Sequence, residues 1–160
     1  MCLGSVPGQE EFEQGKPFAG QSGKNLDGIL SNLKYEGKFL SRSDVSIDNS
    51  WPHPLWEGKH GCTEASLKEI CSDENLTRLY NEIGKDTKIV IAFGDNAFAS
   101  AEALKKKYNL PFRIVKTSHP SFSHINRKYE SSMETPEQRT ADRLRQMSEE
   151  LKAASDGLFT

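Results

Sequence analysis

The sequence predicts an α/β protein with a three-layer α/β/α sandwich around a central, mostly parallel sheet of four strands. Segments with strand and helix patterns alternate along the chain, which is typical of a parallel sheet covered on both faces. Residues 88–93 form a continuous apolar run, as expected for a central strand that is buried on both sides. The amphipathic helical segments supply the apolar stripes that such a sheet needs on its faces.

The first third of the chain supplies one predicted strand, a loop and a helix. Residues 2–5 read as a short strand, and Gly and Pro residues then mark a loop without a hydrophobic period until about Gly20. Residues 22–33 are predicted to be a helix because apolar side chains recur at helical spacing: Leu26, Ile29, Leu30 and Leu33. Residues 39–50 indicate a half-buried strand or two short extended pieces.

The middle of the chain begins with a long loop. Residues 50–62 hold two tryptophans, two prolines, two histidines and two glycines with no period, which is typical of a loop packed by its own rings. Residues 67–83 fit one helix, or two helices broken near Ser72, and Gly84 ends the pattern. Residues 88–93 are the central strand, closed by Gly94.

The last third supplies two helices and a strand. Residues 97–108 are predicted to be helical, residues 112–116 to be the last strand, and residues 122–135 to be the least structured part. Thr135-Pro-Glu-Gln138 combines a capping box with a proline at the first helical position, which predicts a terminal helix to about residue 154.

Composition and charge limit the class of protein. With 160 residues, 35% of them hydrophobic and 28% charged, residues 1–160 are expected to form one globular domain. The net charge of −2 argues against bulk electrostatic attachment to nucleic acid, so any DNA contact needs a local patch. The sequence has neither a membrane span nor a signal segment, so we expect a cytoplasmic monomer.

Two predicted strands end in polar loops that could meet at one edge of the sheet. The first strand runs into Gly4-Ser-Val-Pro-Gly8, and the last one runs into polar groups around His119. Open α/β sheets usually hold ligands beyond the carboxyl ends of their strands. The two loops are therefore expected to face one pocket.

These loops carry a resemblance to the uracil-DNA glycosylase superfamily. The bacterial and archaeal branch has Gly-Glu-Ala-Pro-Gly, then Pro-Phe-Val-Gly, an asparagine at the end of a strand, and a late His-Pro-Ser. This chain has Gly4-Ser-Val-Pro-Gly8, Pro17-Phe-Ala-Gly20, Asn49 and His119-Pro-Ser121 in the same order. The resemblance implies a hydrolase of N-glycosidic bonds. It implies no cofactor here, because three cysteines are too few for the iron-sulfur cluster of that branch.

The resemblance also implies roles for individual residues. His119 would stabilise the departing base, although it could instead cap the turn before Pro120. Asn49 would read the edge of uracil through its amide, or else turn the chain before Ser50. Phe18 would stack on the flipped base, or else fill the core. The first loop would hold sugar and water through substrate-binding residues Gly4, Val6, Pro7 and Gly8.

Ser5 departs from the family pattern. The resembling branch has glutamate there, which can activate the attacking water, whereas a serine hydroxyl is a poor base at neutral pH. A carboxylate elsewhere could compensate, with Glu10, Glu11 and Asp48 as candidates. Alternatively Ser5 orients the water while anion stabilisation drives the reaction, or the site binds without turnover.

The segment after His119 is the expected DNA contact. In the resembling family this segment enters the minor groove with an apolar side chain, a role that Phe122 or Ile125 could fill. Phosphate contacts are expected from Lys116, Ser121, Ser123, Arg127 and Lys128. The alternative is a solvated surface loop with one buried apolar residue.

A zinc site is the competing interpretation of one further cluster. Four potential ligands lie within a short span: His53, His60, Cys62 and Cys71. Their spacing matches no standard pattern, so we expect no metal.

The sequence therefore predicts a glycosylase that flips out uracil or a related deaminated or modified base and hydrolyses its glycosidic bond. The alternative is a catalytically weak module that binds DNA or a nucleobase on the same fold. A small-molecule hydrolase ranks last, because no nucleophile motif is present.

Overall fold

A computed structural model describes all 160 residues, and its centre is a parallel four-stranded sheet. The strand order is β4-β1-β5-β6, with parallel pairing at every junction. The strands of this sheet are β1 (Cys2–Gly4), β4 (Ile47–Asn49), β5 (Ile89–Phe93) and β6 (Arg113–Thr117). A separate antiparallel hairpin is formed by β2 (Lys34–Tyr35) and β3 (Lys38–Phe39).

Eight helices accompany the sheet. They are α1 (Gln9–Gln14), α2 (Gly20–Leu30), α3 (Glu57–His60), α4 (Leu67–Ile70), α5 (Asp73–Glu82), α6 (Asp95–Tyr108), α7 (Phe122–Lys128) and α8 (Pro136–Ala154). A short 3₁₀ turn, Arg42–Asp44, lies between β3 and β4. None of the helices combines the length and the apolarity that a membrane crossing requires.

Two apolar clusters lie on opposite faces of the sheet and define its three layers. Along β5 the side chains alternate: Ile89, Ile91 and Phe93 pack with α2 and α8. Val90 and Ala92 pack with α5 and α6 on the other face. This alternation follows from the two-residue period of a strand, and it confirms the predicted α/β/α sandwich.

The carboxyl ends of the strands align at one edge of the sheet. Gly4 pairs with Asn49, and Phe93 pairs with Thr117. Because β5 separates β1 from β6, the loops that begin at Ser5 and Ser118 flank the loop after Phe93. The candidate site lies at this edge of the sheet.

Three short helices were missed by the sequence prediction: α1, α7 and the four-residue α3. No residue of α1 is buried, so it lacks an apolar stripe; the Glu11 side chain caps its first turn, and Gly15 ends it at φ 65°. The α7 helix lies in the segment expected to be least structured, and Ile125 is its one buried residue. Helices this short and exposed leave little hydrophobic pattern.

For two other segments the structure decides between the predicted alternatives. The segment 67–83 forms two helices, as one alternative predicted, and Ser72 caps the second by accepting from the Asn75 N–H at 3.3 Å. Residues 39–50 form two short extended pieces rather than one strand, because the end of β3 and β4 are separated by the 3₁₀ turn. The predicted loop at 50–62 includes the four-residue α3.

Candidate active site

A cleft of about 930 Å³ opens at the carboxyl edge of the sheet. It is lined by residues at and after the ends of β1, β5 and β6, and by Leu55, Trp56, Thr63 and Glu64. The predicted site residues that line it are Ser5, Val6, Gly8, Lys116, His119, Ser121, Ser123 and Lys128. The two polar strand ends therefore face one cleft.

The remaining predicted residues lie outside this lining. Pro7 and Asn49 line an adjacent pocket of about 300 Å³, and Glu11 borders both spaces. Gly4 and Phe18 are buried at the edge of the sheet and line neither space. The other three residues, Phe122, Ile125 and Arg127, belong to α7.

Gly4 is the point where Asn49 and Phe18 meet. A Cβ atom added to Gly4 would overlap Oδ1 of Asn49 and would lie 2.7 Å from Cε2 of Phe18. Asn49 is 6% exposed, and its side-chain amide forms no hydrogen bond within the chain. The donor and the acceptor of this amide are thus both unused within the chain.

Arg78 of α5 holds the end of β4 below Asn49. Its guanidinium donates to Asp48 Oδ2 at 2.9 Å and to the Asn49 carbonyl oxygen at 2.8 Å. It also donates to the Ser50 carbonyl oxygen at 3.2 Å. Asp48 is therefore engaged in an ion pair, which removes it from the carboxylates available to activate water.

Phe18 has an unusual backbone that the structure holds firmly. Its φ is 49°, a conformation that bulky residues rarely adopt. Arg42 donates to the Phe18 carbonyl oxygen at 2.8 Å and to Asp27 at 2.5 Å. The ring is 4% exposed and packs edge to face on Phe93, with centroids 5.5 Å apart. Such maintained strain is frequent at ligand sites.

His119 lies beside Phe18 with its ring almost parallel. The interplanar angle is 17° and the centroids are 6.3 Å apart. Burial lowers the pKa of His119 to about 4, and the neighbouring His124 contributes in the same direction. The imidazole is consequently neutral at physiological pH, with one nitrogen as a donor and the other as an acceptor.

Ser5 contacts a carboxylate from a distant part of the chain. Its hydroxyl donates to Glu64 Oε2, and the Asn96 amide donates to the same oxygen at 3.0 Å. Asn96 also donates to the Ala65 carbonyl oxygen at 3.1 Å, which fixes the segment that carries Glu64. Glu64 lines the cleft.

Glu10 and Glu11, the other carboxylates considered from sequence, have local roles. The Glu11 side chain accepts from the Gly8 N–H at 3.0 Å and caps α1. The Glu10 carboxylate packs so closely on Gly20 that any Cβ there would overlap it. Neither contacts Ser5 through a hydrogen bond.

The two candidates for the side chain that enters DNA, Phe122 and Ile125, lie in α7 but differ in exposure. Phe122 is 41% exposed, whereas Ile125 is fully buried in the core that packs α2 and α8. A side chain that fills the core cannot also enter a DNA groove unless the core opens. Phe122 is therefore the available candidate.

The cations near the cleft differ in how they are paired. Lys116 contacts Asp95 at 2.7 Å, and Lys128 contacts Glu150 at 2.5 Å. Arg127 is exposed and forms no ion pair. Ser121 is hydrogen bonded to His124 Nδ1 at 2.8 Å.

Sequence reasoning did not identify Glu64, Asn96 or His124 as part of the cleft. Asn96 follows the central strand, so the rule that pointed to Ser5 and His119 could have found it. His124 lies five residues after His119 in the predicted DNA segment. Glu64 is 59 residues from Ser5 in sequence, and no local pattern marks it.

No group of three or more His, Cys, Asp or Glu side chains is arranged to hold a metal ion. A search of curated proteins finds no match to this chain. The model of the family described as the Uracil DNA glycosylase superfamily matches residues 1–147, which include every motif discussed above. The chain belongs to the uracil-DNA glycosylase superfamily.

Proposed function

We propose that this protein is a DNA glycosylase that flips out uracil, or a related deaminated or modified base, and hydrolyses its N-glycosidic bond. The observation that carries the proposal is the meeting of three groups at one strand edge. Asn49 and Phe18 both contact the position of Gly4, and His119 lies against Phe18. In this proposal the reaction uses no metal: Asn49 hydrogen bonds to the edge of the base, Phe18 stacks on it, and His119 donates a hydrogen bond to the base anion.

The unused amide of Asn49 supports selection of uracil. Its carbonyl accepts a hydrogen bond while its NH₂ donates one, which complements the alternating donor and acceptor edge of uracil. Cytosine has an acceptor at N3 and a donor at position 4, the reverse of uracil at both, and against the same amide orientation it would leave these groups unpaired. Arg78 and the β1 pairing fix the backbone that carries this amide, because Arg78 donates to the Asn49 carbonyl oxygen and Asn49 pairs with Gly4.

The near-parallel rings of Phe18 and His119 support the placement of the base. A base stacked on Phe18 would lie almost parallel to the imidazole, because the two rings differ by 17°. An imidazole N–H lies in its ring plane, and carbonyl lone pairs lie in the plane of the base. In-plane donation from His119 to a base carbonyl is therefore geometrically suited.

Entry of a base requires a small movement. We expect the Phe18 ring to become accessible when DNA binds, since it is 4% exposed in the free chain. This step would couple base entry to the strained loop that carries Phe18.

A neutral His119 suits the chemistry of bond cleavage. As the glycosidic bond breaks, negative charge develops on the base oxygens, and preorganised donors in a dry site stabilise that charge. The lowered pKa of His119 keeps the ring neutral, so it donates a hydrogen bond without transferring a full proton. Loss of one such donor typically costs about 10²–10³ in kcat.

The DNA contact is proposed to be local. Phe122 would enter the space left by the flipped nucleotide, and Arg127 would contact phosphate, with Ser121 and Ser123 as further donors. With few phosphate contacts and a net charge of −2, a shallow salt dependence is expected, because the slope of log affinity against log salt is about −0.9 for each phosphate contacted. The protein is proposed to act as a monomer.

A second candidate function is a binding module without turnover. It is favoured by one observation: Ser5 stands where the resembling branch has its acidic residue. Such a module would bind a flipped base with the same three groups but release none.

The deciding assay uses oligonucleotides that contain uracil, hypoxanthine or xanthine, as single strands and duplexes, with abasic product detected by alkaline cleavage. We expect base release, lowered about 10²–10³-fold in His119→Ala. His53→Ala, on the exposed long loop, is the control and should match the unmodified protein. Tight binding with no abasic product from any of these substrates would support the module instead.

A further inference from the structure

Glu64 is a carboxylate held directly over Ser5 with one oxygen free. The Ser5 hydroxyl and the Asn96 amide both donate to Oε2. Oε1 has no hydrogen-bond partner in the chain, and the side chain is exposed to the cleft. A carboxylate whose orientation is set through one oxygen can accept from water through the other.

The backbone brings Glu64 to this place. The long loop runs alongside the first one, because Trp51 donates to the Ser5 carbonyl oxygen at 3.0 Å and Leu55 donates to that of Pro7 at 2.9 Å. The loop then crosses to Asn96, which follows β5. These bonds fix the approach of Glu64 to the cleft from the far end of the loop.

The strand order shows which strand ends lie near Glu64. Ser5 follows β1, Asn96 follows β5, and His119 follows β6, and these strands are neighbours in that order. Adjacent strands lie about 4.8 Å apart, so Ser5 and His119 begin from strand ends about 10 Å apart. Glu64 is bound to the first two of these three positions and lines the same cleft as His119. A sugar between Glu64 and His119 would have its base directed to the histidine.

We propose that Glu64 activates the attacking water and that Ser5 is the residue that positions Glu64. This inference rests on the proposed glycosylase function. The water oxygen bonds to C1′ of the deoxyribose as the C1′–N bond breaks, and the water proton passes to Oε1 of Glu64. The bond electrons leave with the base, whose anion is stabilised by His119 and then protonated. Glu64 returns its proton to solvent, leaving an abasic sugar and the free base.

The rival carboxylates have other partners. Asp48 pairs with Arg78 at 2.9 Å, and Glu11 caps α1 through the Gly8 N–H. Among these carboxylates Glu64 alone contacts Ser5. The acid of the family motif is thus replaced by one from a different segment.

The test compares Glu64→Gln with the unmodified protein in single-turnover cleavage of a uracil oligonucleotide. Glutamine can still accept from Ser5 but cannot take a proton, so we expect a rate lowered by about 10²–10⁴-fold. Affinity for a 2′-fluorinated deoxyuridine oligonucleotide, which resists cleavage, should change less than threefold. Glu57→Gln removes the same charge from α3 on the same loop and should keep the rate of the unmodified protein.

A pH profile separates catalysis from a structural latch. A general base must be ionised to accept the water proton, so the unmodified protein should lose activity on the acid side and Glu64→Gln should lack that acid limb. Ser5→Ala should lower kcat with little change in KM, because the carboxylate loses one of the two donors that orient it. The other titratable side chains in the cleft remain in all variants: Glu11, Asp95, Lys116, His119, His124 and Lys128.

Each outcome decides between the inferences. Equal rates and equal acid limbs for Glu64→Gln and the unmodified protein would overturn the role of Glu64 and leave the glycosylase proposal standing. If Glu64→Gln has a lowered rate, an unchanged acid limb and a lowered melting temperature, Glu64 has only a structural role and the proposed role in catalysis is wrong. Absence of base release by the unmodified protein would overturn both.

Discussion

Gly4→Ala tests whether the base site depends on the close approach of Asn49 and Phe18. The added Cβ would lie 2.7 Å from Cε2 and 2.9 Å from Cζ of Phe18, and it would overlap Oδ1 of Asn49. Ordinary carbon contacts are about 3.5–4.0 Å, so the ring must retreat by about 1 Å. Phe18 has little room for this, because it is buried against Phe93.

The expected cost follows from that displacement. Overpacking of a filled core costs about 1–3 kcal/mol of the free energy of unfolding. In a chain of this length each kcal/mol lowers Tm by about 2–4 °C, so Tm should fall by about 2–12 °C. A displacement of about 1 Å in groups that position a substrate lowers kcat/KM by about 10²-fold.

The assay pairs a thermal melt with cleavage of a uracil oligonucleotide at a temperature where both proteins are folded. Gly58→Ala is the matched control, because its Cβ would meet only Trp56 Cδ1, at 4.0 Å. That variant should keep both Tm and kcat/KM. If Gly4→Ala also melts and cleaves like the unmodified protein, the reasoning from close contact at Gly4 is wrong.

Three further predictions concern residues around the site. His119 should titrate in NMR with a pKa of about 4, and a ring pKa near 6.5 would contradict its burial. The free energy of unfolding should fall as pH drops from about 6.5 to 4, because the unfolded chain takes up the proton at higher pH than the folded chain. His119→Gln should show a shallower loss of Tm over that range. Arg78→Ala should lower the free energy of unfolding by about 2–3 kcal/mol in urea titration, because Asp48 and the Asn49 carbonyl lose a charged donor; an unchanged midpoint would refute this. Thr117→Val should raise the free energy of unfolding by about 1 kcal/mol in urea titration, because the buried Oγ1 of Thr117 has no hydrogen-bond partner. A destabilised variant would show that this hydroxyl is satisfied.

The strands and long helices could be predicted because their sequences carry a strong physical pattern. The β5 strand is a continuous apolar run, and α8 begins with a capping box and a proline. In contrast, α1 buries no side chain and α7 buries only Ile125. Their formation depends on caps and on neighbouring loops, which leave weak patterns in the sequence.

The candidate site was partly predictable for a similar reason. Ser5 and His119 follow strands, and the carboxyl ends of parallel strands meet at one edge. The burial of Ile125, in contrast to the exposure of Phe122, required the packing of α7 on the core. Glu64 could not be found from its surroundings in sequence, because its position depends on backbone hydrogen bonds between two loops.

The parallel course of those two loops also links the residues that position 5 and position 64 can carry. A glutamate introduced at position 5 would face the carboxylate that now accepts from Ser5, and two acids so close cannot both ionise without repulsion. Restoring the acid of the family motif would therefore be tolerated best after Glu64 had been exchanged for a neutral residue. In this fold, the side chain that position 5 can carry therefore depends on the one at position 64.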